Sequence, residues 1–198
     1  MDLKYTSCKG EKDNCKNKPE TTCSSVDNHI YFYDGINDES ILELKKSIYD
    51  VSIELTKMKF IYKDDFNPKI YLHINSGGGY VSSGLNGLDI ISNSEIPIIT
   101  IAEGSVASAA TLLFLAGTER WITKNTFILI HQIRTGFWGT HEEMRDEIVN
   151  MDMFEKKIID FYVSKSKLNR DQIKKIMDRE LLMESETCLK KGFVDKII

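Results

Sequence analysis

Apolar runs of strand length, each closed by glycine, serine or histidine and then followed by a helical pattern, restrict the fold of this sequence more than any other feature. Ile70-Tyr71-Leu72-His73-Ile74 runs straight into Asn75-Ser76-Gly77-Gly78-Gly79, after which Leu85, Leu88 and Ile91 mark one face of a helix. Ile96 to Ile101 enters Gly104-Ser105-Val106-Ala107-Ser108-Ala109-Ala110, with Pro97 at the strand start, where a missing N–H disrupts the ladder least. Phe127-Ile128-Leu129-Ile130 ends in His131-Gln132. Strands alternating with helices predict an α/β chain with a parallel sheet, helices packed over it and right-handed crossovers. In such sheets functional groups gather at the carboxyl ends of strands, which is where the triglycine, Ser108 and His131 all fall.

The remaining pattern fills in around these runs. His29 to Tyr33 has strand composition, and Ile41, Leu44, Ile48, Val51 and Leu55 recur at helical spacing. Ala107 to Ala116 is predicted as a buried helix stopped by Gly117, followed by strands at Trp121 to Thr123 and Phe127 to Ile130. Gly136-Phe137-Trp138-Gly139 reads as a turn or a loosely paired strand. A long helix then carries Met144, Ile148, Met151, Ile158 and Tyr162 along one face. Asn169 with Gln172 forms a helix-starting pair, and a short strand at Leu181 to Met183, a helix from Ser185 and Phe193-Val194 beyond Gly192 complete the chain.

Residues 1–27 are polar, lack apolar period and are expected to form a flexible extension, leaving 28–198 as one domain. The net charge of -4 supplies no basic excess for nucleic acid. No apolar run approaches the span of a bilayer and the first residues lack the core of a secretory signal, so the expectation is a soluble cytoplasmic protein. Cys8, Cys15 and Cys23 contain no C-x-x-C pair, and a zinc site built from them would need a fourth ligand such as His29; reduced thiols are the plainer reading, and no metal or cofactor is expected. Cys188 is expected simply to pack.

The chemistry concentrates in three places. A serine among tiny residues at a strand-to-helix junction exposes a hydroxyl, and an imidazole at the tip of a buried strand can act as its base. Backbone amides at Gly77 to Gly79 and at Ala109 can meet the oxyanion of acyl transfer. The triglycine lacks the Gly-Lys-Ser/Thr ending of a phosphate-binding loop and the spacing of a dinucleotide fingerprint.

Ile74 to Gly79, Val106-Ala107-Ser108-Ala109 and Ile130-His131-Gln132 together resemble the three signature segments of the Clp protease proteolytic subunit (ClpP) family, and Gly192-Phe193-Val194-Asp195 resembles its closing segment. The resemblance implies a ClpP/crotonase-like fold of repeated β-β-α units with a handle helix, and a serine endopeptidase without cofactors. It further implies heptameric rings stacked in pairs, unfolded polypeptide as substrate and an AAA+ unfoldase as partner. By that resemblance Ser108 is the nucleophile, His131 the base, Gly79 and Ala109 the oxyanion donors and Glu180 the triad acid in a place where aspartate is usual. Arg179 matches an arginine of ring-to-ring contacts. Asp178 competes with Glu180 for the acid position, and a solvated surface role for Glu180 stays open.

Several departures accompany the resemblance. Gly77 stands where the family has proline, Ile133 follows Gln132 in place of proline, and His73 introduces a polar group beside Tyr71 on strand positions of the family's hydrophobic docking surface. His29 and His141 read as ordinary surface or strand-end residues. Phe137 and Trp138 read as either an exposed aromatic pair at the start of the handle or core beneath it. Besides an active peptidase, a catalytically silent ring subunit and a crotonase-type acyl-CoA enzyme remain as alternatives.

Overall fold

A computed structural model describes residues 23–62 and 67–198. Two short strands, β1 (Cys23–Val26) and β2 (His29–Phe32), form an antiparallel hairpin around Asp27, whose φ is 55°. From β2 the sheet continues in parallel through β3 (Ile70–Ser76), β4 (Ile98–Ala107), β5 (Glu119–Ile122) and β8 (Lys196–Ile197). A side branch leaves β4, with β6 (Phe127–Leu129) parallel to it and β7 (Met183–Glu184) antiparallel to β6. The helices are α1 (Asp38–Tyr62), α2 (Val81–Ser92), α3 (Ala110–Leu115), α4 (His141–Ser164), α5 (Arg170–Met177) and α6 (Ser185–Lys191).

The helical stripe of α1 is buried at every one of its five apolar positions from Ile41 to Leu55. Strand β3 shows the period of two that follows from pleating: Ile70, Leu72 and Ile74 are fully buried, while Tyr71 and His73 line the opposite face, partly open to solvent. On that second face His29 stacks on Tyr71 and Tyr31 on His73, with ring centroids 4.9 and 4.6 Å apart. The carboxyl-terminal segment is tied in by a buried Phe193 and by Asp195, which accepts from the Arg120 side chain at 2.7 and 2.9 Å.

Gly104 shapes the strand that matters most. It adopts φ 63°, and there β4 changes partner, pairing with β5 through Ala102 and with β6 from Ser105 onward. A left-handed residue inside a strand is a glycine position, because a Cβ would clash with its own backbone. The bend lets a ten-residue strand serve two neighbours and deliver its end beside β6.

The structure departs from the sequence reading in several places. The helix expected over Ala107 to Ala116 is shorter: Ala107 ends β4, and α3 begins only at Ala110. Alanine-rich composition favours helix, but ladder bonds to β6 hold Ser105 to Ala107 extended. Folded structure reaches back to Cys23, inside the polar segment read as an extension, because β1 completes the hairpin with β2. The rest of that segment, with Cys8 and Cys15, lies outside the described residues. Gly136 to Gly139 forms no strand, and Leu181 and Leu182 are exposed and outside β7. Of the predicted α4 face, Ile158 and Tyr162 are buried, but Met144 and Ile148 are exposed in the single chain. Of the two readings left open for the aromatic pair, the structure gives the exposed one for Trp138, which is 99% exposed. Among the described residues no helix is long and apolar enough to cross a membrane.

Candidate active site

Ser108 sits one residue beyond β4 with φ 56°, a left-handed conformation rare for a residue bearing a Cβ. Such strain costs about 1–3 kcal/mol and persists only where the surroundings over-determine it. Here they do. The Ser108 N–H donates to the Leu129 carbonyl at 2.9 Å, fixing the turn to the end of β6. Its carbonyl accepts from the Thr111 N–H at 3.0 Å and from Thr111 Oγ1 at 2.6 Å. The result is a sharp strand-to-helix turn with a hydroxyl at its apex, the geometry by which α/β folds present a nucleophile.

The glycine loop after β3 packs against this turn. The Gly78 carbonyl accepts from the Ile36 N–H and the Ile36 carbonyl from the Tyr80 N–H, both at 2.8 Å, so the loop is pinned across Gly79. Gly78 (φ 94°) and Gly79 (φ 154°) both need left-handed backbone, and neither has room for a side chain. A Cβ on Gly78 would lie 2.6 Å from the Ser108 Cβ, and one on Gly79 only 2.1 Å from the Ile36 carbonyl oxygen. Gly77 is different, with nothing within 4 Å of the same position. Among the described residues the N–H groups of Gly79 and Ala109 donate to no protein acceptor, and both residues line the cavity that holds Ser108.

That cavity measures about 160 Å³ and also admits His131, Arg134 and apolar side chains of Val81, Leu112, Ile133 and Ile158. Tyr162 closes its floor; burial pushes its phenol up to about 12, and the hydroxyl is bound to Thr111 Oγ1 at 2.7 Å. His131 follows β6 and is largely buried. Its Nδ1 lies 3.1 Å from Glu180 Oε1. An ionised carboxylate can only accept, so Nδ1 carries the proton and Nε2 is left as the basic nitrogen. Among the described residues no hydrogen bond joins Ser108 Oγ to His131.

Of the two acids weighed from the sequence, Glu180 is the one that reaches His131. Asp178 accepts instead from Gln132 Nε2 at 2.7 Å, a bond that, with the Gln132 N–H donating to the Met177 carbonyl at 3.0 Å, clips the end of α5 to the histidine segment. Glu180 also takes a hydrogen bond from Arg134 Nη2 at 2.5 Å. The Arg134 bond, ahead of the His131 contact, holds the Glu180 carboxyl below the usual glutamate range. Arg134 was not singled out by the sequence; a cation three residues after His131 has no periodicity to betray it.

His29, read as an ordinary strand-end residue, belongs instead to a hydrogen-bonded chain on the outer sheet face. Its Nδ1 is 2.9 Å from His73 Nε2, His73 Nδ1 is 2.8 Å from Glu103 Oε1, and the Tyr33 hydroxyl donates to Glu103 Oε2. Cys23 is buried with its thiol on Ser47, away from any ligand cluster, and Cys188 is buried against the Met183 carbonyl. Among the described residues no group of histidine, cysteine and carboxylate side chains is arranged to hold a metal ion.

A family model described as Clp protease matches residues 25–198. The ATP-dependent Clp protease proteolytic subunit 1 of Leifsonia xyli subsp. xyli is 29% identical over 169 residues, covering 83% of this chain and 86% of the relative. A solved ClpP1 mutant from Listeria monocytogenes superposes with a TM-score of 0.73 at 24% identity, covering 86% of this chain and 91% of that one, a likeness of fold.

Proposed function

The chain belongs to the Clp protease family, and on that premise we propose that it is a serine endopeptidase in which Ser108 attacks the carbonyl of a peptide bond. The observation that carries the reading is the strained Ser108 turn opening on one cavity with His131 and with the undonated amides of Gly79 and Ala109. His131 Nε2 takes the serine proton as the Cα-ward carbonyl is attacked, then returns it to the leaving amine. Glu180 holds the opposite ring nitrogen and offsets the positive charge that forms on the imidazole. The two amides receive the oxyanion, a contribution worth about 2.7–4 kcal/mol per donor in related chemistry. Departure of the amine leaves the acyl group esterified to Ser108 Oγ; water, giving a proton to His131 Nε2, attacks that ester, and the proton passes to Oγ as the acid product leaves. No cofactor takes part.

The substrate in this reading is extended polypeptide, and the working form is a set of heptameric rings, stacked in pairs and served by an AAA+ unfoldase. The apolar side chains left open on the amino-terminal half of α4 support burial against a second ring. The test is hydrolysis of an unstructured fluorogenic peptide by the purified chain. Turnover that disappears in Ser108→Ala supports the proposal; turnover equal in the two proteins defeats it.

A second reading, a catalytically silent ring subunit, has one observation in its favour: Ser108 and His131 are not hydrogen-bonded to each other. Serine–histidine contacts are commonly long without substrate and tighten in the complex. Correctly assembled rings that turn over no peptide would select the silent subunit.

A further inference from the structure

We propose that Arg134 is a positioning residue of this site: it anchors the Glu180 carboxylate that orients His131, an inference that rests on the peptidase reading above. A glutamate has one more rotatable bond than an aspartate, and this one stands largely in solvent, with a side chain 55% exposed. Left to itself it would sample many rotamers, few of which meet His131. No backbone N–H fixes it: its hydrogen-bond donors among the described residues are His131 Nδ1 and Arg134 Nη2, both at Oε1. Arg134 supplies the second anchor, and supplies it from the loop that carries the histidine.

The nearby carboxylates and the buried phenol are engaged elsewhere. Asp178 at the end of α5 is bound to Gln132, Glu147 on α4 accepts from Thr135, and Tyr162 is bound to Thr111. Neither carboxylate takes the Arg134 guanidinium away from Glu180. The guanidinium also holds the Glu180 carboxyl below the usual glutamate range, so the carboxylate stays ionised wherever the imidazole can act as a base.

The experiment measures peptide hydrolysis and the rate at which a fluorophosphonate modifies Ser108, against pH, in the wild type, Arg134→Gln, Arg134→Lys, Glu180→Gln and the double variant Arg134→Gln/Glu180→Gln. Native mass measurement checks that each is assembled. The expected result for Arg134→Gln is a fall of roughly 10- to 100-fold in kcat and in labelling rate, as for a catalytic group displaced from its working geometry, with KM nearly unchanged. Arg134→Lys recovers part of the loss because it keeps the charge without the planar fork. In the Glu180→Gln background the Arg134→Gln change has no additional effect, since a residue acting through Glu180 has nothing left to act on. An Arg134→Gln variant with wild-type rate and pH profile overturns the inference while leaving the peptidase intact. So does a variant whose loss is the same in both backgrounds. A wild type that neither hydrolyses peptide nor takes the label defeats the peptidase reading itself, and the inference with it.

Discussion

Three consecutive glycines meet three different demands. Gly79 is squeezed against the Ile36 backbone and Gly78 against Ser108, whereas a side chain on Gly77 would point into open space. Its φ is not among the positive ones, so alanine fits there without strain. Gly77→Ala is therefore predicted to keep activity and to stabilise the fold by about 0.4–1 kcal/mol, through lost freedom of the unfolded chain. Gly79→Ala is predicted to break the Ile36 bridge, lower the melting temperature and abolish peptide turnover. Thermal melts and assays on the two variants check the contrast; equal effects would refute it. At this scale the sequence was legible where composition is extreme. Serine among alanines and a histidine ending an apolar run stand out, but the acid did not, because Asp178 and Glu180 lie two residues apart on a turn that has no period to choose between them.

Elements were legible in proportion to their periodicity. The stripe of α1 and the Asn169–Gln172 capping box of α5 appear as expected, the latter with both reciprocal bonds made. The end of β4 was not readable, because Ala107 is held extended by β6, a partner distant in sequence, against its own helical preference. Helix α4 starts with a second capping box, Thr140 with Glu143, whose spacing was present in the sequence. Only its carboxyl-terminal half is buried, at Ile158, Ile159 and Tyr162. Thr140→Ala should cost about 0.5–2 kcal/mol, and the loss should appear as faster hydrogen exchange in the first turns of α4 and not in the last. Uniformly faster exchange along α4 would show that the cap supports the whole helix.

The Arg120–Asp195 lock joins β5 to the carboxyl-terminal segment. Partial burial raises the Asp195 carboxyl, but the bonds from the Arg120 side chain and N–H outweigh it and leave it below the ordinary aspartate value of 3.8. The stability it contributes is present above that value and is lost as the pH falls through the lower folded one. Asp195→Asn is thus predicted to lower the melting temperature at neutral pH and to flatten its decline below about pH 4. Parallel melting curves against pH in the two proteins would contradict this.

For the molecule as a whole, the single chain leaves an apolar surface that its own core does not use. Trp138, Met144, Ile148, Val149 and Met153 are exposed from the start of α4 toward its middle. In the proposed stacked-ring form this surface is buried, and Trp138→Ala with Ile148→Lys should shift native mass from stacked rings toward single rings while leaving the fold unchanged. An unaltered mass distribution would place the ring contact elsewhere. The sequence pattern of α4 misled because Met144 and Ile148, though at core spacing, lie beyond the part of the helix that this chain's own core covers.

All of these scales meet in the claim that the Ser108 hydroxyl is an activated nucleophile. Fluorophosphonate labelling of the assembled protein, with the modified residue identified by peptide mapping, tests it most directly. The label is predicted on Ser108 alone, with a rate that falls roughly 10³-fold or more in His131→Ala. Intact rings whose Ser108 stays unmodified, or is modified equally fast without His131, would contradict it.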